Sequence, residues 1–356
     1  MPSSLPRPQP AAARPRILIV DDSAVARAVI MRTIEADGRF EVVAATTHTN
    51  AALRVLHAQP VDVILLDLDL PGVDGLTALP DVIAAGKGAK VLVVSSSCDE
   101  GAASTVQALA LGAADTLVKP GAGAPYARFA GLLCEKLARL GAGSSAEQSV
   151  ALAPPPSPPR AARDAFDLVA IGASTGGIHA LSQMLREIPA SLRTPILITQ
   201  HLPASFMPYF ATQVAVIAGR PCDVAVDRLR LRPGRVTVAP GDAHVRCVNL
   251  ADGSVALRLS NEPVASGCLP SVDPMFDSVA AAYGPRALGV VLSGMGRDGA
   301  EGARRIVEAG GGLVVQDQES SVVWGMPGAI ASAGLAQAVL PPGAIGRLIA
   351  TRRRPE

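Results

Sequence analysis

Leu168-Val-Ala-Ile-Gly-Ala-Ser174-Thr-Gly-Gly177 is an apolar run that stops abruptly at a small, Gly-rich turn. Behind it Ile178, Leu181, Met184, Leu185 and Ile188 recur at helical spacing. The order reads as strand, tight turn, helix. It sets Ser174 at the carboxyl edge of a parallel sheet and at the amino end of a helix, where backbone N–H groups are free to bind an anion. On this stretch alone two readings stand side by side: a nucleophilic serine, or a serine that binds phosphate or caps the helix. The turn is not a P-loop, since no Gly-Lys-Ser/Thr is present.

A chain of 356 residues suggests two domains. The net charge of +1, with no long basic run, points away from nucleic acid. Hydrophobic content of 49 % with only 3 % aromatic residues implies cores of Ala, Val and Leu, as in sheets covered by helices. The cysteines (Cys98, Cys134, Cys222, Cys247, Cys268) are scattered and include no CxxC pair, so they read as reduced core residues. No apolar run reaches the length of a membrane span, and the Pro-rich start lacks a signal-peptide core. A cytoplasmic protein, not inserted in a membrane, is expected.

Residues 1–13 are rich in Pro, Ala and Ser and read as a disordered tail. From there to residue 140, strand-like runs (Ile17–Val20, Val42–Ala45, Val61–Leu66, Val91–Val94, Thr116–Val118) alternate strictly with helical stretches. This pattern predicts a doubly wound, flavodoxin-like α/β domain over 14–140. Pro154-Pro-Pro-Ser-Pro-Pro159 marks residues 141–165 as a Pro-rich linker. A second α/β pattern, Rossmann-like with a parallel sheet, occupies 166–352.

In the first domain Asp21 and Asp22 follow the first strand, Asp67 ends the third, Ser95 ends the fourth and Lys119 ends the fifth. All five positions fall at one carboxyl edge. Clustered carboxylates repel one another and call for a cation, and oxygen-only ligands suit Mg²⁺. A carboxylate beside a metal and a lysine can accept a phosphoryl group. The motifs Val20-Asp-Asp-Ser23, Leu66-Asp67-Leu-Asp-Leu-Pro71, Val94-Ser95-Ser96 and Val118-Lys119-Pro120 resemble the receiver domain of bacterial two-component response regulators. The resemblance implies Asp67 as phosphoacceptor, Asp21, Asp22 and Asp67 as Mg²⁺ ligands, and Ser95 and Lys119 as phosphoryl partners. It also implies a cis Lys119–Pro120 bond. Thr116 stands where that family usually carries an aromatic residue.

In the second domain Ile196-Leu-Ile-Thr-Gln-His201 places His201 at a strand end, and Leu288-Gly-Val-Val-Leu-Ser-Gly-Met295-Gly-Arg-Asp298 places Asp298 in a Gly-rich loop. Ser174, His201 and Asp298 at one sheet edge supply a nucleophile, a base and a group that orients the base. Taken singly, His201 reads better as a hydrogen-bonded loop histidine, and Asp298 reads also as a helix N-cap. The order Ser, His, Asp differs from that of α/β-hydrolases, so that fold is not implied. No further His, Cys or carboxylate grouping at ligand spacing is visible, so hydrolysis is expected to need no metal.

From Phe166 to about Ala350 the chain resembles the catalytic domain of the chemotaxis protein-glutamate methylesterases. The matching stretches are Ile171–Gly177, Gln200-His-Leu-Pro-Ala204, Val238-Ala-Pro-Gly-Asp242, Pro270-Ser-Val-Asp273, Leu292–Gly299 and Val323-Trp-Gly-Met-Pro327. A preceding receiver completes that family's architecture. The resemblance implies catalysis by Ser174, His201 and Asp298, with Met295 and Thr175 serving the oxyanion. It implies methyl-accepting chemotaxis receptors as substrate, hydrolysis of glutamate γ-methyl esters, deamidation of glutamines, and a chemotaxis histidine kinase as phosphodonor. It further implies that the unphosphorylated receiver covers the active site. Gly267-Cys-Leu269 departs from the family, which often has a basic residue before the proline. A receiver-controlled hydrolase of a non-chemotaxis protein, or a non-enzymatic phosphate sink, are the alternatives.

Overall fold

In the first domain β1 (Arg16–Val20), α1 (Ala24–Asp37), β2 (Glu41–Thr46), α2 (Thr49–Ala58), β3 (Val63–Leu66), α3 (Gly75–Gly86), β4 (Lys90–Ser95), α4 (Asp99–Leu111), β5 (Asp115–Val118) and α5 (Tyr126–Gly141) alternate. A computed structural model describes residues 14–95, 99–119, 126–141 and 166–351 of the chain. The five strands form a parallel sheet in the order β2-β1-β3-β4-β5. Ile17–Val20 and Val63–Leu66 are buried throughout, as the uninterrupted apolar runs of a sheet covered on both faces require. The expected α/β domain is formed. The tail, residues 142–165 of the linker, and the Lys119–Pro120 bond expected to be cis lie outside the described residues.

The second domain runs β6 (Leu168–Ala173), α6 (Gly177–Arg186), β7 (Ile196–Gln200), α7 (Met207–Ala218), β8 (Cys222–Val224), β9 (Val236–Val238), β10 (His244–Asn249), β11 (Val255–Ser260), α8 (Val272–Tyr283), β12 (Ala287–Val291), α9 (Ala300–Glu308), β13 (Gly312–Gln316), α10 (Met326–Ser332), β14 (Ala338–Leu340) and α11 (Pro342–Thr351). Seven strands make a parallel sheet in the order β14-β13-β12-β6-β7-β9-β8. An antiparallel hairpin, β10–β11, stands apart from it. The hairpin packs on α8 and leaves that helix's amino end beside the sheet edge.

The receiver-like domain rests on the second domain through α4, which packs against α6 and α7. Val106 and Leu109 of α4 belong to the same buried apolar cluster as Ile178 and Phe210. Among the described residues no helix is long and apolar enough to cross a membrane.

Candidate active site

The order β1-β3-β4-β5 places the ends of four neighbouring strands side by side. Lys119 Nζ lies 2.6 Å from Asp67 Oδ2 and 2.9 Å from Asp21 Oδ2. Asp21, Asp22 and Asp67 offer oxygens within 4.8 Å of one another. Burial raises the Asp67 carboxyl above the usual range, against the pull of Lys119. Burial also works against the Lys119 ammonium, but its bonds to Asp67 and Asp21 outweigh this and raise its pKa. Ser95 Oγ is buried without a hydrogen bond among the described residues, and Asp21 Oδ2 has only its ion pair. Buried oxygens with accepting capacity left over in this way fit a hard, oxygen-seeking cation and a phosphoryl group.

The second centre is built on the adjacent strands β12, β6 and β7. Ser174 follows β6, His201 follows β7, and Asp298 lies in the loop between β12 and α9. Gly176 caps α6 in the left-handed region at φ +76°, and a Cβ there would stand 2.5 Å from Val322 Cβ. Glycine is therefore required for the turn that presents Ser174. At Gly294 a Cβ would come within 2.9 Å of Ser174 Cβ, so this glycine lets the Met295 loop approach the serine. Ser293 Oγ ties the same loop to the turn by donating to the Thr175 carbonyl at 2.8 Å. The N–H groups of Thr175 and Met295 form no hydrogen bond among the described residues.

His201 Nε2 donates to Asp298 Oδ2 at 2.8 Å, which leaves Nδ1 as the ring nitrogen free to serve Ser174. Ser174 Oγ makes no hydrogen bond among the described residues; in sites without ligand such contacts commonly tighten only when substrate binds. Asp298 is 2 % exposed. Burial pushes its carboxyl up, but bonds from His201, Ser271 and Val272 hold it below the usual range. Two of these come from the N-cap and first residue of α8: Ser271 Oγ to Oδ1 at 2.6 Å and Val272 N to Oδ2 at 2.7 Å. Behind them His244 Nδ1 accepts from Ser271 N at 3.0 Å, so its Nε2 donates to the Glu262 carbonyl, also at 3.0 Å.

The receiver-like domain closes over this edge. Gly176 N donates to the Ala114 carbonyl at 2.8 Å, and Thr175 Oγ1 donates to Asp115 Oδ2 at 2.9 Å. Lys136 Nζ reaches the same Asp115 oxygen at 2.6 Å. Between the domains lies a cavity of about 160 Å³, with Ser174, His201 and Met295 on one wall and Asp115, Lys136 and Arg139 on the other.

Every candidate residue named from the sequence falls into one of these two centres. Sequence reasoning missed Ser271, His244, Asp115 and Cys268. Two expectations need correction. Cys268 is not a core residue, since it is half-buried on a loop. Moreover, the second domain does hold a ligand-like group: His201, Cys268 and Asp298 present donor atoms within 4.8 Å of one another. They come from distant loops, so no short spacing announced them. Burial raises the Cys268 thiol, with Asp298 adding to the shift and Arg139 opposing it.

The CheB methylesterase family profile matches residues 169–349, and that of the response regulator receiver domain matches residues 17–124. A protein-glutamate methylesterase/protein-glutamine glutaminase of Caulobacter vibrioides is 41 % identical over 349 residues, covering 95 % of this chain and 99 % of the relative. One from Rhodospirillum centenum is 39 % identical over 367 residues, covering 94 % and 93 %. The Thermotoga maritima CheB methylesterase catalytic domain superposes with a TM-score of 0.51 at 31 % identity, covering 53 % of this chain and 99 % of that one. The chain therefore belongs to the CheB methylesterase family, with a response regulator receiver domain joined to its methylesterase domain.

Proposed function

We propose that the protein is a protein-glutamate methylesterase and glutaminase, controlled by phosphorylation of Asp67 and acting in the cytoplasm on methyl-accepting chemotaxis receptors. The observation that carries the hydrolytic reading is the His201–Asp298 bond at 2.8 Å beside Ser174, on neighbouring strand ends. Ser174 Oγ attacks the γ-carbonyl of a methylated glutamate while His201 Nδ1 takes its proton. The oxyanion rests on the unpaired N–H groups of Thr175 and Met295; one such donor is worth about 2.7–4 kcal/mol in comparable sites. His201 returns the proton to the departing methanol, and water then cleaves the acyl-enzyme. The same geometry serves a glutamine amide, with ammonia as the leaving group.

Asp21, Asp22 and Asp67 are the residues to hold Mg²⁺, which when bound neutralises charge during phosphoryl transfer. Asp67 accepts the phosphoryl group from a chemotaxis histidine kinase, and Lys119 and Ser95 bind its oxygens. The docked receiver supports control by occlusion. A receptor helix is about 10–12 Å across. It cannot reach Ser174 through a cavity of about 160 Å³ that Asp115 and Lys136 help to wall.

Methanol release from methylated receptor membranes tests the reading. Wild type should release it and Ser174→Ala should not. Release unaffected by Ser174→Ala would defeat the serine mechanism, and no release by either would turn attention to another substrate or to a phosphate sink.

A further inference from the structure

Cys268 takes no part in the hydrolytic scheme, yet it lies beside it. His201, Cys268 and Asp298 each offer one ligand atom, and the three atoms lie within 4.8 Å of one another. An imidazole nitrogen, a sulfur and a carboxylate oxygen form the donor set of a borderline-soft divalent cation. Zn²⁺ fits it, whereas Mg²⁺ prefers oxygen alone. We propose that His201, Cys268 and Asp298 form an inhibitory Zn²⁺ site that shuts off hydrolysis by capturing the catalytic histidine.

The geometry needs small adjustments. Tetrahedral zinc with these donors sets N···O near 3.3 Å and N···S near 3.5 Å, by roughly the usual bond lengths. His201 Nε2 and Asp298 Oδ2, now 2.8 Å apart, must open by about 0.5 Å, and the Cys268 sulfur need close by no more than about 1.3 Å. The carboxylate is already oriented by Ser271 Oγ and Val272 N, the kind of outer support that metal-binding carboxylates receive. On binding, the ion replaces the proton between Nε2 and Oδ2. That proton moves by way of solvent to Nδ1, so the ring binds as a neutral imidazole; the thiol proton passes to solvent, three metal–ligand bonds form, and no electron is transferred. With Nδ1 now carrying the ring proton, the imidazole no longer takes the Ser174 proton. Only this inhibitory consequence rests on the serine-hydrolase reading.

The test uses the full chain, stripped with chelator, returned to saturating Mg²⁺ and titrated with Zn²⁺ while methanol release is followed. Inhibition at roughly micromolar Zn²⁺ is expected over the rate in Mg²⁺ alone, and reversed by chelator. Cys268→Ser should keep the basal rate and require at least about tenfold more Zn²⁺ for the same inhibition. Co²⁺ gives a second readout that needs no activity. Its thiolate-to-metal charge-transfer band should appear in wild type and in Asp67→Asn and vanish in Cys268→Ser. Equal Zn²⁺ sensitivity of Cys268→Ser, or a Co²⁺ spectrum without the thiolate band, overturns the proposal. If wild type released no methanol, the Co²⁺ band would still decide the metal site, and the hydrolase reading alone would fall.

Discussion

Ser271 Oγ donates to Asp298 Oδ1 at 2.6 Å from the N-cap of α8, a helix that carries none of Ser174, His201 and Asp298. The bond, with Val272 N on the other oxygen, directs the positive end of a helix at the carboxylate that orients His201. A hydrogen bond to a charged group contributes about 1.5–3 kcal/mol. Ser271→Ala is therefore expected to lower kcat about tenfold with KM little changed, part of that energy being recovered by the remaining bonds. Asp298 would also lose one of the bonds holding its pKa down. Its pKa rises, so the acid limb of the kcat profile moves to higher pH. Ser271→Thr keeps the hydroxyl and should restore both rate and profile. A slower variant with an unmoved acid limb would make Ser271 merely structural.

Ser174→Ala and His201→Ala are each expected to cost more than about 10³-fold in hydrolysis, and the double variant no more than either one, because the residues act as a unit. Asp298→Ala should be milder, since that residue orients and stabilises the base. Phosphorylation of Asp67 should survive all of them, the acceptor lying at the edge of the other sheet. A double variant far slower than both single ones argues against the shared mechanism.

The two sheets were legible because parallel strands buried on both faces leave unbroken apolar runs, as in Leu168–Ala173 and Val63–Leu66. The placement of polar residues at strand ends was legible for the same reason: one polar residue after such a run has a known position on the sheet edge. Ser271 and Cys268 carry no comparable mark, because a loop before a helix acquires its partners only on folding. Asp298 lies 27 residues beyond Ser271, and the contact depends on how α8 packs. The β10–β11 hairpin does carry a local signal, Ala251-Asp-Gly253 between alternating runs. The Thr175–Asp115 bond crosses 60 residues and two domains, beyond any local pattern.

Asp273 gives a prediction about stability. Burial raises its carboxyl pKa, and the charge of Asp298 adds to the shift. A carboxyl raised in the folded state contributes stability below its unfolded pKa and loses that contribution as pH rises through the folded value. Asp273→Asn should therefore stabilise the protein at pH 8, by about 1 kcal/mol or more, and by less at pH 5. The amide oxygen can still accept from Gly302 N, now 2.8 Å from Asp273 Oδ1. Thermal unfolding of both proteins at the two pH values measures the gap, and a gap independent of pH would refute the assignment.

Phosphorylation and hydrolysis should part on chelation. Removing divalent metal is expected to stop labelling of Asp67 while the 166–356 fragment hydrolyses at an undiminished rate. Loss of the fragment's activity, restored by added metal, would give the second domain a required metal after all.

Asp115 should hold the receiver on the active site. Its Oδ2 accepts from Thr175 Oγ1 at 2.9 Å and pairs with Lys136 Nζ at 2.6 Å, while the preceding Ala114 carbonyl takes the Gly176 N–H. Asp115 opens β5 and Lys119 follows its end, so the docking contact and the phosphoryl partner share one strand, about 13 Å apart. Between them Thr116 is buried with its hydroxyl unpaired among the described residues. Phosphorylation adds roughly −1.5 to −2 charge beside Lys119 and can make one to three new charge-assisted bonds. A tenfold activation requires only about 1.4 kcal/mol of difference between docked and open states. A swing from 1 % to 99 % open needs about 5.5 kcal/mol, and Thr116 lacks the bulk of an aromatic lever, so partial activation is expected. Asp115→Ala removes the Thr175 bond and should raise the unphosphorylated full-length rate by about tenfold, towards that of the 166–356 fragment. The response to phosphodonor should shrink in proportion, while Asp67→Asn stays at the low basal rate. Esterase rates of all four proteins on one receptor preparation, with and without phosphodonor, decide it. An Asp115→Ala protein no faster than wild type, beside a faster fragment, would move the inhibitory contact elsewhere on α4; a fragment no faster than the intact chain would remove the inhibitory role altogether.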